Sequence, residues 1–200
     1  MLQLSRILLL LAMVVSGTAI GEDRKRDSDA QKEERKRREA IRELSKKLSR
    51  RLAMPGPAPD SVFLNQRASV LLERTRKTRD PYQFDRLRRA TDALLEATQR
   101  IESREGEDND EDDRAKAART LQRHYFRVQQ AEYFAAMSGE PDAALYVPHC
   151  RSLYQQARSA YDARQFDRAR RLGDAASLVV GALENLAQAA VRVPDPPRLN

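Results

Sequence analysis

Residues 83–93 read QFDRLRRATDA, and residues 165–175 read QFDRARRLGDA. Eight of the eleven positions are identical at an offset of 82. The first copy runs on into Leu94, Leu95, Thr98 and Ile101, which with Phe84, Leu87 and Thr91 share one face of a helix. Upstream, Leu71, Arg76 and Asp80 align with Leu153, Arg158 and Asp162. An internal repeat sets the architecture before any single residue does. The repeated unit here is a helical hairpin, 60–79 with 83–103 in the first copy and 148–164 with 166–192 in the second. A further helix over 112–138 bridges them, and 193–200 is read as a loose tail.

The punctuation between these segments agrees. All nine prolines fall at the breaks and none inside a long helix. A proline inside a helix removes a backbone bond and clashes with the preceding turn. Pro148 suits the first position of its helix, Asp60 and Ser61 offer capping oxygens to theirs, and Ser138-Gly139 is a normal stop. No stretch alternates with period two. The fold class expected is therefore all-α, a helical-hairpin bundle of about five helices. The composition is consistent: 200 residues, 34% charged, 7 Gly, 1 Cys, no Trp. So little glycine argues against a β-barrel or a dinucleotide-binding enzyme, and one cysteine excludes a disulfide framework and a multi-cysteine zinc site.

Outward from the repeat, the N-terminus has a different character. Ile7–Val15 is an unbroken apolar run after Arg6, and Ala19 and Gly21 are small residues two apart. That three-part layout predicts a secretory signal over 1–21, cleaved near Gly21. The alternative is an uncleaved membrane anchor, although Ile7 to Ile20 spans only 14 residues where a bilayer core needs ~20. Residues 22–53 form a basic arm with 13 Lys/Arg and 8 Asp/Glu. Only its second half has an apolar stripe, Ile41, Leu44, Leu48 and Leu52; before it, charge covers every face, as in a solvated helix or a disordered arm. Residues 54–59 (MPGPAP) read as a proline-rich linker. The net charge of +7 thus lies mostly in the arm.

An exported basic chain meets anionic lipid, wall polymer or an acidic protein more readily than nucleic acid. The arm, with Arg35, Arg37, Arg38, Ile41, Leu44 and Leu48, is a candidate for contact with a partner helix, for self-association, or for an anionic surface.

The second repeat resembles a tetratricopeptide-type helical hairpin. Ala157, Phe166, Ala169 and Ala176 stand where that family places small residues and an aromatic after the turn. Arg164 replaces the usual turn glycine, and Gly181 stands near the place of the closing proline. In the first copy Phe84 is kept, but Leu87 and Leu94 replace the alanines. The resemblance covers 60–192 at most. It implies a binding scaffold for a protein partner in a cell envelope, and no catalysis.

Other candidates are weaker. Asp108, Asp110 and Asp112 alternate as in a calcium loop, but Asp113 and Arg119 occupy the places that need glycine and glutamate. His124 and His149 are too far apart for a helical ligand pair, and no nucleophile or phosphate-loop motif occurs. No metal, cofactor or catalytic residue is expected. The tyrosines Tyr125, Tyr133, Tyr146, Tyr154 and Tyr161, with Phe126 and Phe134, crowd into 120–165. They are read first as core and otherwise as a partner- or ligand-binding groove. On the core reading, Leu121, Tyr125, Val128 and Glu132 lie near one line of the 112–138 helix. Cys150 is read as a small buried hydrophobe. The readings that remain beside a scaffold are a small-ligand or anionic-polymer binder and an enzyme of unrecognised type.

Overall fold

A computed structural model describes residues 29–103 and 111–191, with the backbone alone at Glu111. The signal segment, the start of the arm, the acidic stretch 104–110 and the tail lie outside these residues. The chain divides into two compact units, residues 1–42 and 43–200.

Residues 29–52 are helical (α1); 29–42 fall in the first unit. None of residues 29–42 is buried. Their surface carries short-range ion pairs: Lys32–Asp29 at 3.4 Å, Lys36–Glu33 at 3.6 Å and Arg38–Glu34 at 2.9 Å. Pairs of this kind add a few tenths of a kcal/mol each.

The second unit is all helix among the described residues. It starts at Glu43, not at the proline-rich linker where the composition places a boundary. Leu44 and Leu48, one turn apart, are 4% and 7% exposed. Lys47 Nζ lies 2.7 Å from Asp92 Oδ1, and Arg76 Nη2 donates to Ser45 Oγ at 2.7 Å. The last turns of the arm are therefore part of the body's core. The arm's stripe ends there, since Leu52 is 62% exposed.

The remaining helices are α2 (Pro59–Lys77), α3 (Pro81–Glu102), α4 (Glu111–Gln129), α5 (Ala131–Met137), a 3-10 turn (Ala143–Leu145), α6 (Tyr146–Asp162) and α7 (Phe166–Ala190). Pro59 and Pro81 open their helices, where the missing N–H costs nothing. Asp80 caps α3 by accepting from Gln83 N. At α2 the cap is Ala58, with no side-chain bond, so the expected capping by Asp60 or Ser61 does not occur. Helix α6 begins two residues before Pro148, which still sits in the first turn. The single helix expected over 112–138 is broken at Gln130, whose N–H bonds to Arg127 O three residues back.

The two repeated segments open α3 and α7, and these two helices pack against each other. The repeat differs where volume matters. Leu87 aligns with Ala169, Ala90 with Leu172 and Leu94 with Ala176, all six buried. Exchanging large for small between paired helices allows close approach without overfilling. Helix α7 is central: α3, α4, α5 and α6 all contact it. Val179, Val180, Leu183 and Leu186 are almost wholly buried there. Buried threonines on α2 and α3 satisfy their hydroxyls on the preceding turn: Thr75 to Leu71 O, Thr91 to Leu87 O and Thr98 to Leu94 O.

Between α6 and α7, Arg164 takes φ +60°. Gln165 N–H bonds to Ala160 O and Arg164 N–H to Tyr161 O, a Schellman closure. A left-handed residue is required there, and this chain spends an arginine on it.

Candidate functional site

Two surfaces of the second unit carry unusual chemistry. The first is a row of exposed apolar side chains on α4 and α5. Phe126 is 69% exposed, Tyr133 62%, Met137 52% and Tyr125 45%. Phe126 lies in the last turn of α4, and Tyr133 and Met137 stand four residues apart on α5. Arg119 and Arg123, respectively two turns and one turn before Phe126, are exposed and make no hydrogen bond or ion pair among the described residues. Beside the row a shallow groove of about 540 Å³ has a floor of small residues that includes Ala135, Ala136, Gly139 and Ala144. Glu132 and Arg151 line it and pair at 2.8 Å.

The second surface is a basic cleft of about 480 Å³. The end of α1 supplies Lys47, Arg50 and Arg51, α3 supplies Asp92, Leu95, Glu96, Gln99 and Arg100, and α7 supplies Arg171. Asp92 holds the Lys47 ammonium by a hydrogen bond and so raises its pKa. Arg171 Nη1 donates to Ser103 O at 2.6 Å, which satisfies a carbonyl at the end of α3.

The two histidines are both engaged. His149 Nδ1 lies 2.6 Å from Asp60 Oδ1, with its ring stacked 3.8 Å from Phe63. His124 Nε2 lies 2.9 Å from Asp174 Oδ1. These pairs tie α2 to α6 and α4 to α7. No hydroxyl or thiol bonds to either imidazole among the described residues. Nor is there a group of three His, Cys, Asp or Glu side chains able to hold a metal. Cys150 is fully buried, and burial pushes its thiol up to about 12.

The residues singled out in the sequence are dispersed. Arg35 and Arg38 are exposed and Arg37 and Ile41 half-buried, in the first unit. Leu44 and Leu48 belong to the body's own core, so they are not a free face for a partner. The tyrosines do not act as one group. Tyr146 is core, with its phenol pushed up to about 12 by burial. Tyr154 and Tyr161 are half-buried: Tyr154 donates to Leu121 O at 3.1 Å and Tyr161 lies 5.4 Å from Phe166. Tyr125 and Tyr133 are surface residues. The buried line of α4 runs through Ala117, Leu121, His124 and Val128, not through Tyr125 and Glu132 as the apolar pattern suggests. His124 can be buried because Asp174 satisfies its nitrogen. The hairpin positions Phe84, Ala157, Phe166, Ala169 and Ala176 are all buried.

The basic cleft escaped the sequence because its cations come from three distant segments. The adjacent arginines Arg50 and Arg51, inside a segment read as a detached arm, were the available signal.

Among the described residues no helix is long and apolar enough to cross a membrane. No family model matches the chain, and neither the curated proteins nor the solved structures provide a match.

Proposed function

We propose that this chain is an exported, non-enzymatic protein-binding scaffold of a cell envelope, built from tetratricopeptide-like hairpins. The partner is a protein segment that combines apolar side chains with carboxylates. The carrying observation is the gathering of Phe126, Tyr133 and Met137, each more than half exposed, with the Tyr125 ring edge-on to Phe126. Apolar side chains gathered on one surface mark interaction sites, and aromatics are the commonest anchors of interfaces. Arg119 and Arg123 beside the row select for an acidic partner. Export rests on the apolar run and small-residue site in 1–21. An anionic surface remains a second partner for the arm, and self-association a third use of it.

The test is affinity purification of the tagged chain from its native envelope, followed by direct binding of the purified partner. Phe126→Ser/Tyr133→Ser should abolish binding with an unchanged circular dichroism spectrum, and Arg119→Glu/Arg123→Glu should weaken it. A partner held equally by all three proteins, or a chain recovered only from the cytoplasm, would refute this reading.

A further inference from the structure

We infer that the cleft between the end of α1, α3 and α7 is a binding site for a small polyanion carrying two or more phosphate or sulfate groups. This site is separate from the aromatic row and uses different helices. Five cationic side chains, Lys47, Arg50, Arg51, Arg100 and Arg171, line it against two carboxylates, Asp92 and Glu96. Further carboxylates offset part of this charge, Glu43 at 3.6 Å from Lys47, Glu102 at 3.9 Å from Arg51 and Asp167 at 3.3 Å from Arg171, so a polyanion gains by displacing the exposed pairs and by reaching Arg50.

The cations are unequally committed. Lys47 is held by Asp92 at 2.7 Å, and Arg100 reaches Glu96 at 3.3 Å. Both are substantially exposed pairs, which contribute little and can open for a better partner. Arg51 pairs with the buried Glu102 carboxylate at 3.9 Å, and Arg171 is committed to Asp167 at 3.3 Å and to Ser103 O at 2.6 Å. Arg50 makes no hydrogen bond or ion pair among the described residues. Four of the five cations are arginines, whose planar forks bind phosphate or sulfate through two parallel N–H bonds. A neighbouring concavity of about 450 Å³ shares Arg100, Ser103 and Arg171 and adds Arg168. Cationic groups therefore continue past one phosphate's reach, which favours a ligand with several anionic groups over a single inorganic ion.

The volume falls within the ~300–1,000 Å³ of small-molecule sites. Among the described residues, Leu95 is the one aliphatic side chain in the first cleft and no aromatic ring lines it. There is thus no apolar anchor of the kind a bound peptide needs and no stacking platform for a base.

Tripolyphosphate is the probe, titrated calorimetrically into the chain lacking residues 1–21, with inorganic phosphate and a poly-glutamate peptide as comparisons. Binding should saturate at one site and weaken as salt rises from ~50 to ~200 mM. Arg50→Gln/Arg100→Gln, two exposed positions without a role in the core, should weaken it by about tenfold or more. Arg89→Gln, on α3 but away from the cleft, should bind as the parent does. Vesicles containing phosphatidylglycerol separate the sources of phosphate: a free polyanion predicts that the double variant leaves vesicle binding unchanged. The inference fails if tripolyphosphate does not saturate, if Arg89→Gln weakens binding as much as the double variant, or if only poly-glutamate or vesicles bind.

Discussion

Replacing Leu44 by alanine tests whether the end of the arm belongs to the core. Leu44 is 4% exposed, and truncating a buried leucine costs about 2–5 kcal/mol, depending on how far the site collapses. Leu44 is the second residue of its unit, so the chain around it can adjust, and the lower half of that range, about 2–3 kcal/mol, applies. A unit of this size loses about 2–4 °C per kcal/mol. Leu44→Ala should therefore lower the melting temperature by about 4–12 °C. Leu52→Ala is the matched control. It makes the same chemical change on the same helix at 62% exposure, and surface changes usually stay within about 0.5 kcal/mol. The assay is thermal and urea unfolding of residues 22–200 followed by circular dichroism. The companion measurement compares chains starting at residue 43 and at residue 54: the first should melt as the parent does and the second well below it. Equal melting of Leu44→Ala and Leu52→Ala, or full stability of 54–200, would refute the reasoning and restore the proline stretch as the boundary.

Other substitutions probe the backbone and the buried groups. Arg164→Gly should raise stability by about 0.5–1 kcal/mol, because glycine holds φ +60° without the Cβ clash; a lower urea midpoint would contradict this. Gly173→Ala should be neutral or stabilising by up to about 1 kcal/mol. A Cβ there meets Thr120 Cγ2 at 3.5 Å, an ordinary contact, and gains helix propensity; a loss in the same unfolding assay would show that α4 cannot give. Stability should fall as pH rises above 9. The buried Cys150 thiol keeps its proton to about 12 against an ordinary 9.0, so the folded state binds that proton more tightly across this window. Below pH 9 both states hold the proton and the group adds no pH dependence. Urea midpoints at pH 9 and 10 should drop less in Cys150→Ala than in the parent, and equal drops would show that the thiol is not the cause.

The helices were legible because their signals are local. Apolar residues three and four apart, with prolines opening α2 and α3 and lying just before or within the first turn of α6, place α2, α3, α6 and α7 within about two residues of where they lie. The face of α3 holds from Phe84 to Thr98, since one amphipathic helix packs the same side whatever its neighbours are. The break at Gln130 had no proline or glycine to announce it. The core line of α4 was misread by one position because His124 is polar by type and becomes buriable only when Asp174 of α7 lies beside it. Tyr125 is apolar enough for a core, yet stands on the surface.

The sequence alone determined the all-helical class and the duplicated segment, because a periodic pattern and a proline's missing N–H act within one turn of chain. The tertiary structure decided which repeated helices meet, that Leu44 and Leu48 are interior, and that Lys47, Arg50, Arg51, Arg100 and Arg171 share one cleft. Those outcomes depend on contacts between residues far apart in the chain, such as Lys47 and Asp92 at 45 positions. Composition places the positive charge in an arm. Packing moves part of it into the body, where it lines a concave site.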